Sequence, residues 1–105
     1  MRNIIKLSEK EVLALLCDYD VQVEIEHEVI EDNIIRTDYE DGGGHHEYII
    51  KNIKSGKFYK GYYTDWDIDN TNFDEDEQKF YRCDLDTSFI EVKSVNVIVT
   101  KYVEL

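Results

Sequence analysis

The chain has 105 residues, with 24 Asp and Glu against 12 Lys and Arg and a formal charge of -12 at pH 7. That length suits one domain, 1–105, with one modest core, and an apolar share of 42%, rich in tyrosine, argues against disorder of the whole chain. The charge disfavours direct binding to nucleic acid, because a polyanionic backbone repels so acidic a protein unless a basic patch intervenes.

The first predicted element is a helix over about Glu9 to Cys17. Ser8 followed by Glu11 is a capping-box pattern, in which each side chain satisfies the other residue's free N–H. Val12, Leu13, Leu15 and Leu16 then form an apolar stripe, and Asp18-Tyr19-Asp20 ends it. Beyond Asp20 the period becomes two. Val21, Val23, Ile25 and Val29 alternate with Gln22, Glu24, Glu26 and Glu28, which predicts a half-buried strand with a carboxylate face. On such a strand the glutamates would stand about 6.6 Å apart, from a rise of about 3.3 Å per residue. Ile34 and Ile35 begin another short strand, and Asp41-Gly42-Gly43-Gly44 reads as a loop with His45 and His46 at its exposed tip.

A hairpin is expected next. Glu47 to Lys54 and Lys57 to Thr64 are β-prone runs joined by Ser55-Gly56, where glycine supplies the positive φ of a tight turn. Residues 65–76 are polar and turn-rich, and Gln78 to Cys83 suits a short strand or a helical turn. The chain closes on a run in which Val95, Val97, Val99 and Val103 share one face and Ile98 and Tyr102 the other, the pattern of a central strand. The expected architecture is α+β, with one N-terminal helix packed on an antiparallel sheet of four to five strands.

Neither end reads as a targeting segment, and no run approaches the roughly 18 apolar residues needed to span a bilayer. Cys17 and Cys83 form no CxxC pattern, so a reduced, cytoplasmic setting and no zinc or redox motif are expected. Asp65, Asp67 and Asp69 are spaced like the start of a calcium loop with Asp76 at its twelfth position. Asn70 stands where glycine belongs, however, and the twelfth ligand is usually glutamate. Neither the adjacent His45–His46 nor the remote His27 makes a four-ligand zinc set. Gly42-Gly43-Gly44 is not a phosphate cradle, and no nucleophile motif is present. No enzyme, cofactor or resident metal is therefore expected.

The acidity is segregated. Residues 18–41 hold ten carboxylates and only Arg36, residues 65–86 hold nine against Lys79 and Arg82, and the remainder is net basic. Like charges repel in the compact state, so segregation points to selection for something other than stability. The aromatics among them, Trp66 foremost, suit binding hot spots. The expected partner-binding residues are Glu24, Glu26, Glu28, Glu31, Asp32, Asp65, Trp66, Asp67, Asp69, Asp74, Glu75, Asp76 and Glu77, meeting a basic groove on another protein. Lys51, Lys54, Lys57 and Lys60 beside Tyr59, Tyr62 and Tyr63 offer a small basic-aromatic surface, but lysines also guard edge strands.

The ending from Lys93 to Leu105 resembles terminal strands of small proteins encoded by phages of Gram-positive bacteria. The size, acidity and Tyr/Asp-rich segments are similar to phage anti-defence inhibitors, including DNA-mimicking type II anti-CRISPR proteins. The resemblance implies a non-enzymatic inhibitor of a nuclease or Cas effector in the bacterial cytoplasm, with no membrane partner. It transfers no site residue. The alternatives are an immunity protein that neutralises a cationic toxin, and a calcium- or metal-dependent binding domain using residues 65–76.

Overall fold

A computed structural model describes residues 3–38 and 43–93. The elements in chain order are β1 (Ile4–Lys6), α1 (Glu9–Leu16), β2 (His27–Asp38), β3 (Gly43–Asn52), β4 (Phe58–Thr64), α2 (Asp65–Asn70), β5 (Asn72–Asp74), β6 (Lys79–Arg82) and β7 (Ser88–Val92). Strands β1-β7-β4-β3-β2, in that order, make a five-stranded antiparallel sheet, and β5-β6 form a separate two-stranded one. The fold is α+β as expected, with mostly sheet, an N-terminal helix and a second, short helix.

Helix α1 begins where the sequence places it, with the Ser8 hydroxyl accepting the Glu11 N–H at 3.1 Å. The expected hairpin is formed by β3 and β4, paired from Lys51 opposite Phe58 to His45 opposite Thr64. Gly56 holds φ +74 in its turn, and the Asn52 side-chain oxygen accepts the Lys54 and Ser55 N–H groups at 3.0 and 2.9 Å. One face of the sheet supplies Tyr48, Ile50, Tyr59 and Phe89 to the core, which Val12 and Leu13 of α1, Phe73 of β5 and Leu85 complete. Phe89 meets Tyr48 edge-on at 5.5 Å, directly beneath Gly61. The other face is half open. Ile30, Ile49, Phe58 and Val92 line a shallow groove of about 460 Å³ there, with Glu31, Glu47, Lys60 and Lys93.

Four expectations change. Residues 21–26 are not part of a strand, and side chains take two of their N–H groups: Gln78 accepts the Gln22 N–H at 2.7 Å and Glu11 the Glu26 N–H at 2.9 Å. The ladder starts only at His27 and continues for 12 residues, so Ile34 and Ile35 lie inside one long strand. That strand is bulged between Val29 and Glu31 and again between Ile34 and Arg36. Both bulges fall at apolar doublets, Val29-Ile30 and Ile34-Ile35, where period-two alternation breaks and an extra residue restores the register. Gly43, Gly44, His45 and His46 belong to β3 rather than to a loop. Residues 65–70 are helical, because Thr64 and Asp67 form a reciprocal capping box at 3.1 and 2.9 Å. The segment 78–83 resolves as strand β6. The expected strand over 95–103 lies outside the described residues.

A Cβ on Gly61 would come within 2.4 Å of the Phe89 ring and 3.0 Å of the Tyr48 ring, both fully buried. Gly61→Ala should therefore cost about 3 kcal/mol in urea unfolding through overpacking. Gly56→Ala, where a Cβ meets open space, should cost only about 1 kcal/mol for its positive φ.

Candidate interaction surface

Two carboxylate–histidine contacts organise the acidic segments. The first is internal. Glu11, buried in the first turn of α1, does not return to cap its own helix; one carboxylate oxygen accepts both the Glu26 N–H and His27 Nδ1, each at 2.9 Å. His27 is 4% exposed, with Tyr59 edge-on at 6.0 Å and its Nε2 3.3 Å from Asn52 Nδ2. The Asn52 oxygen is already committed to the hairpin turn, so its amide nitrogen faces His27 and donates. This arrangement suits the His27 tautomer that donates through Nδ1 and accepts at Nε2.

The second contact is at the surface. His46 lies on β3, with Asp32 of β2 on one side and Asp65 of α2 on the other. Its Nδ1 is 3.1 Å from Asp32 Oδ1 and its Nε2 2.8 Å from Asp65 Oδ1. The ring stacks on Tyr63 at 4.2 Å and 10°, and the Tyr63 hydroxyl donates a short hydrogen bond to the second oxygen of Asp32. The second oxygen of Asp65 accepts the Gly44 N–H at 2.8 Å. A Cβ on Gly44 would stand 2.8 Å from that oxygen, so a larger residue there would displace the Asp65 carboxylate. Burial and the Asp32 acceptor push the Tyr63 phenol above its ordinary range. The Gly44 amide and His46 hold the Asp65 carboxyl below the usual value. Beside this cluster, His45, His46, Tyr62, Tyr63, Asp67 and Asp86 help line a cavity of about 170 Å³. Nearby, the hydroxyl of fully buried Tyr48 has no hydrogen-bond partner among the described residues.

A third junction joins the acidic segments at their other ends. The turn between β5 and β6 is closed by Asp74, which accepts the N–H groups of Asp76 and Glu77 at 2.9 and 3.0 Å. From that turn Glu75 accepts the Asp20 N–H at 3.2 Å, while Gln78 donates to the Asp20 carbonyl at 2.8 Å and accepts the Gln22 N–H at 2.7 Å.

The expected partner-binding residues thus divide by use. Asp32 and Asp65 are engaged with His46, Asp67 caps α2, Asp74 shapes a turn, Glu75 holds Asp20, and Glu77 pairs with Lys79 at 3.0 Å and Tyr81 at 3.1 Å. Glu24, Glu26, Glu28, Glu31, Trp66, Asp69 and Asp76 are exposed. Glu24 and Glu26 precede β2, so the expected row of glutamates along one strand face does not exist, although Glu28 and Glu31 lie on β2. Sequence reasoning missed His46, whose signal was a histidine in alternation with Tyr48 and Ile50 on the strand that follows the glycines.

The calcium-loop spacing breaks apart in three dimensions. Asp65 turns to His46 and Gly44 and Asp67 to Thr64, while Asp76 belongs to the β5–β6 turn. Among the described residues no three His, Cys, Asp or Glu side chains are placed to hold a metal ion. Burial and Asp18 raise the Cys17 thiol, and burial with the Glu9 acceptor pushes Cys83 up to about 11, so both stay protonated at neutral pH. No helix among the described residues is long and apolar enough to cross a membrane. No protein-family model matches the chain, and no curated protein or solved structure matches it either.

Glu11→Ala would leave the His27 and Glu26 N–H groups without their acceptor and should cost about 3 kcal/mol in urea unfolding, against about 1 kcal/mol for Glu11→Gln, which keeps an acceptor. Asp65 has a depressed folded-state pKa, so its contribution to stability is present above the ordinary carboxylate value of about 3.9 and is lost as pH falls through the lower folded value. Asp65→Asn should flatten the acid limb of a thermal-melting profile in that window.

Proposed function

We propose that this protein is a non-enzymatic inhibitor whose acidic surface occupies a basic, nucleic-acid-binding groove of a partner protein. The observation that supports this reading is the meeting of the two acidic segments. Residues 18–41 and 65–86 touch at two places, through Asp32–His46–Asp65 and through Asp20–Glu75 with Gln22–Gln78. Asp32 and Asp65 are thereby held together around His46 and Asp20 beside Glu75, while Glu28 and Glu31 project from the opposite, open face of the sheet. Exposed Glu24, Glu26, Glu28, Glu31, Asp69 and Asp76 would supply long-range attraction, which speeds association with a basic partner. Trp66 is 56% exposed and Tyr81 60%, and both sit among carboxylates on the 65–86 segment. Exposed aromatics of this kind serve as anchors that slow dissociation.

A groove that normally holds nucleic acid meets these requirements, since it is basic and wide and its ligand carries closely spaced negative charge. The resemblance to phage anti-defence inhibitors agrees with a nuclease or Cas effector as the partner, and the protein would then act by exclusion, with no chemistry of its own.

The test is binding to a purified Cas nuclease with and without competing duplex DNA. Wild-type protein should bind in a salt-dependent manner and be displaced by DNA. Replacing Glu24, Glu28 and Glu31 together by Lys should lower the association rate at least tenfold, and Trp66→Ala should raise Kd about tenfold, mainly through faster dissociation. Binding that ignores salt, DNA and both variants would remove the acidic surface from the interface.

A further inference from the structure

His46 is placed so that its protons decide how much of the acidic surface is available. Both ring nitrogens face carboxylate oxygens, Nδ1 toward Asp32 at 3.1 Å and Nε2 toward Asp65 at 2.8 Å. An ionised carboxylate only accepts, so both contacts are hydrogen bonds only when both nitrogens carry hydrogen. In that state one imidazolium offsets two carboxylates and pins them in place, and α2 is tied by its first residue to β3 and β2. With one proton gone, one nitrogen becomes an acceptor facing an acceptor, and that carboxylate is released.

Each carboxylate has another donor to fall back on. Asp32 keeps the Tyr63 hydroxyl and Asp65 keeps the Gly44 amide, so release does not require the fold to open. The site is accessible, since the Asp32 and Asp65 side chains are 36% and 55% exposed. The other charged and titratable groups around His46 are accounted for. Asp67 of α2 and Asp86 of the segment before β7 line the same cavity, and Asp67 is occupied with Thr64. On β3 itself, His45 Nε2 lies 3.3 Å from the Arg36 guanidinium, which can only donate, so His45 accepts there. His27 is buried away from the surface between Glu11 and Asn52.

We propose that the second proton of His46 is a regulator of partner binding: bound, it masks Asp32 and Asp65; lost, it frees one of these carboxylates and makes the surface more negative by one charge. This rests on the acidic surface being the binding surface. Both carboxylates belong to the two segments that carry the charge excess, so the change falls at their junction.

The probe is an octalysine peptide acetylated at its N-terminus and amidated at its C-terminus, whose only ionisable groups are lysines of pKa about 10.4 and whose charge is therefore nearly constant between pH 6 and 8.5. One added charge facing a lysine across water at about 4 Å corresponds to roughly fivefold in affinity. Wild-type affinity should rise by about that factor from pH 6 to 8.5. His46→Gln should abolish the pH dependence and His45→Gln should retain it. Ring nitrogen NMR on the full chain provides the readout that needs no peptide: both His46 nitrogens should be protonated at pH 6, one should lose its proton by pH 8.5, and the carboxyl carbon of Asp32 or Asp65 should shift in step. Asp65→Asn, which keeps the fold's other contacts, should move that ring titration to lower pH. A neutral single tautomer of His46 at pH 6, or pH-dependent binding that survives in His46→Gln, would overturn the proposal. Octalysine that binds at no pH would sink the acidic-surface reading and the regulation with it, while a ring titration as expected would still show the proton shared between the two carboxylates.

Discussion

The structure depends on one recurring interaction, a carboxylate accepting a backbone N–H that has no ladder partner. Glu11 takes the amide of Glu26, Asp65 that of Gly44, Asp67 that of Thr64, Asp74 those of Asp76 and Glu77, Glu75 that of Asp20, and Asp86 that of Ser88. Buried or half-buried main-chain donors must be satisfied somewhere, and where no backbone carbonyl is in reach a side-chain oxygen does it. An ionised carboxylate makes the stronger kind of such bond. The acidity is therefore partly architectural. It holds together the irregular stretches, and the same residues face outward with the charge that remains.

The two histidines held by carboxylates differ in what stands on their second nitrogen. At His27 it is an amide donor fixed by the hairpin turn, which asks for no second ring proton and makes the contact structural. At His46 it is a second carboxylate, which requires a second proton if both bonds are to exist. Burial completes the contrast: His27 is sealed beneath Tyr59, whereas His46 stacks on Tyr63 beside open cavity. The same pair of residue types thus serves as a tether in one place and as an exchangeable clasp in the other.

How much of this was legible in the sequence follows from the range of the forces involved. Helix α1, the β3–β4 hairpin and its Gly56 turn were readable because capping, alternation and positive φ are local properties. The path of residues 21–26 was not. Their alternation is real at Val21 to Glu24, half-buried and exposed in turn, yet their amides are taken by Glu11 and Gln78 from far along the chain. Helix α2 was hidden because Asp-Trp-Asp-Ile-Asp-Asn has weak helical propensity, and its capping box, Thr64 to Asp67, uses Asp where Glu or Gln is the familiar signature. Of the candidate surface, the charge segregation was visible and its closure was not, since no pattern in either segment encodes their meeting through His46 or Gln78.

Gln78 has a consequence for how the chain reaches this state. It holds φ +54, a backbone region that glycine occupies more readily, yet its amide joins the turn to Asp20 and Gln22, 56 to 58 residues earlier in the chain. Contacts of such separation form only after most of the chain-closure entropy has been lost. Joining the two like-charged segments at Gln78 therefore has to offset their mutual repulsion as well as the loop-closure entropy.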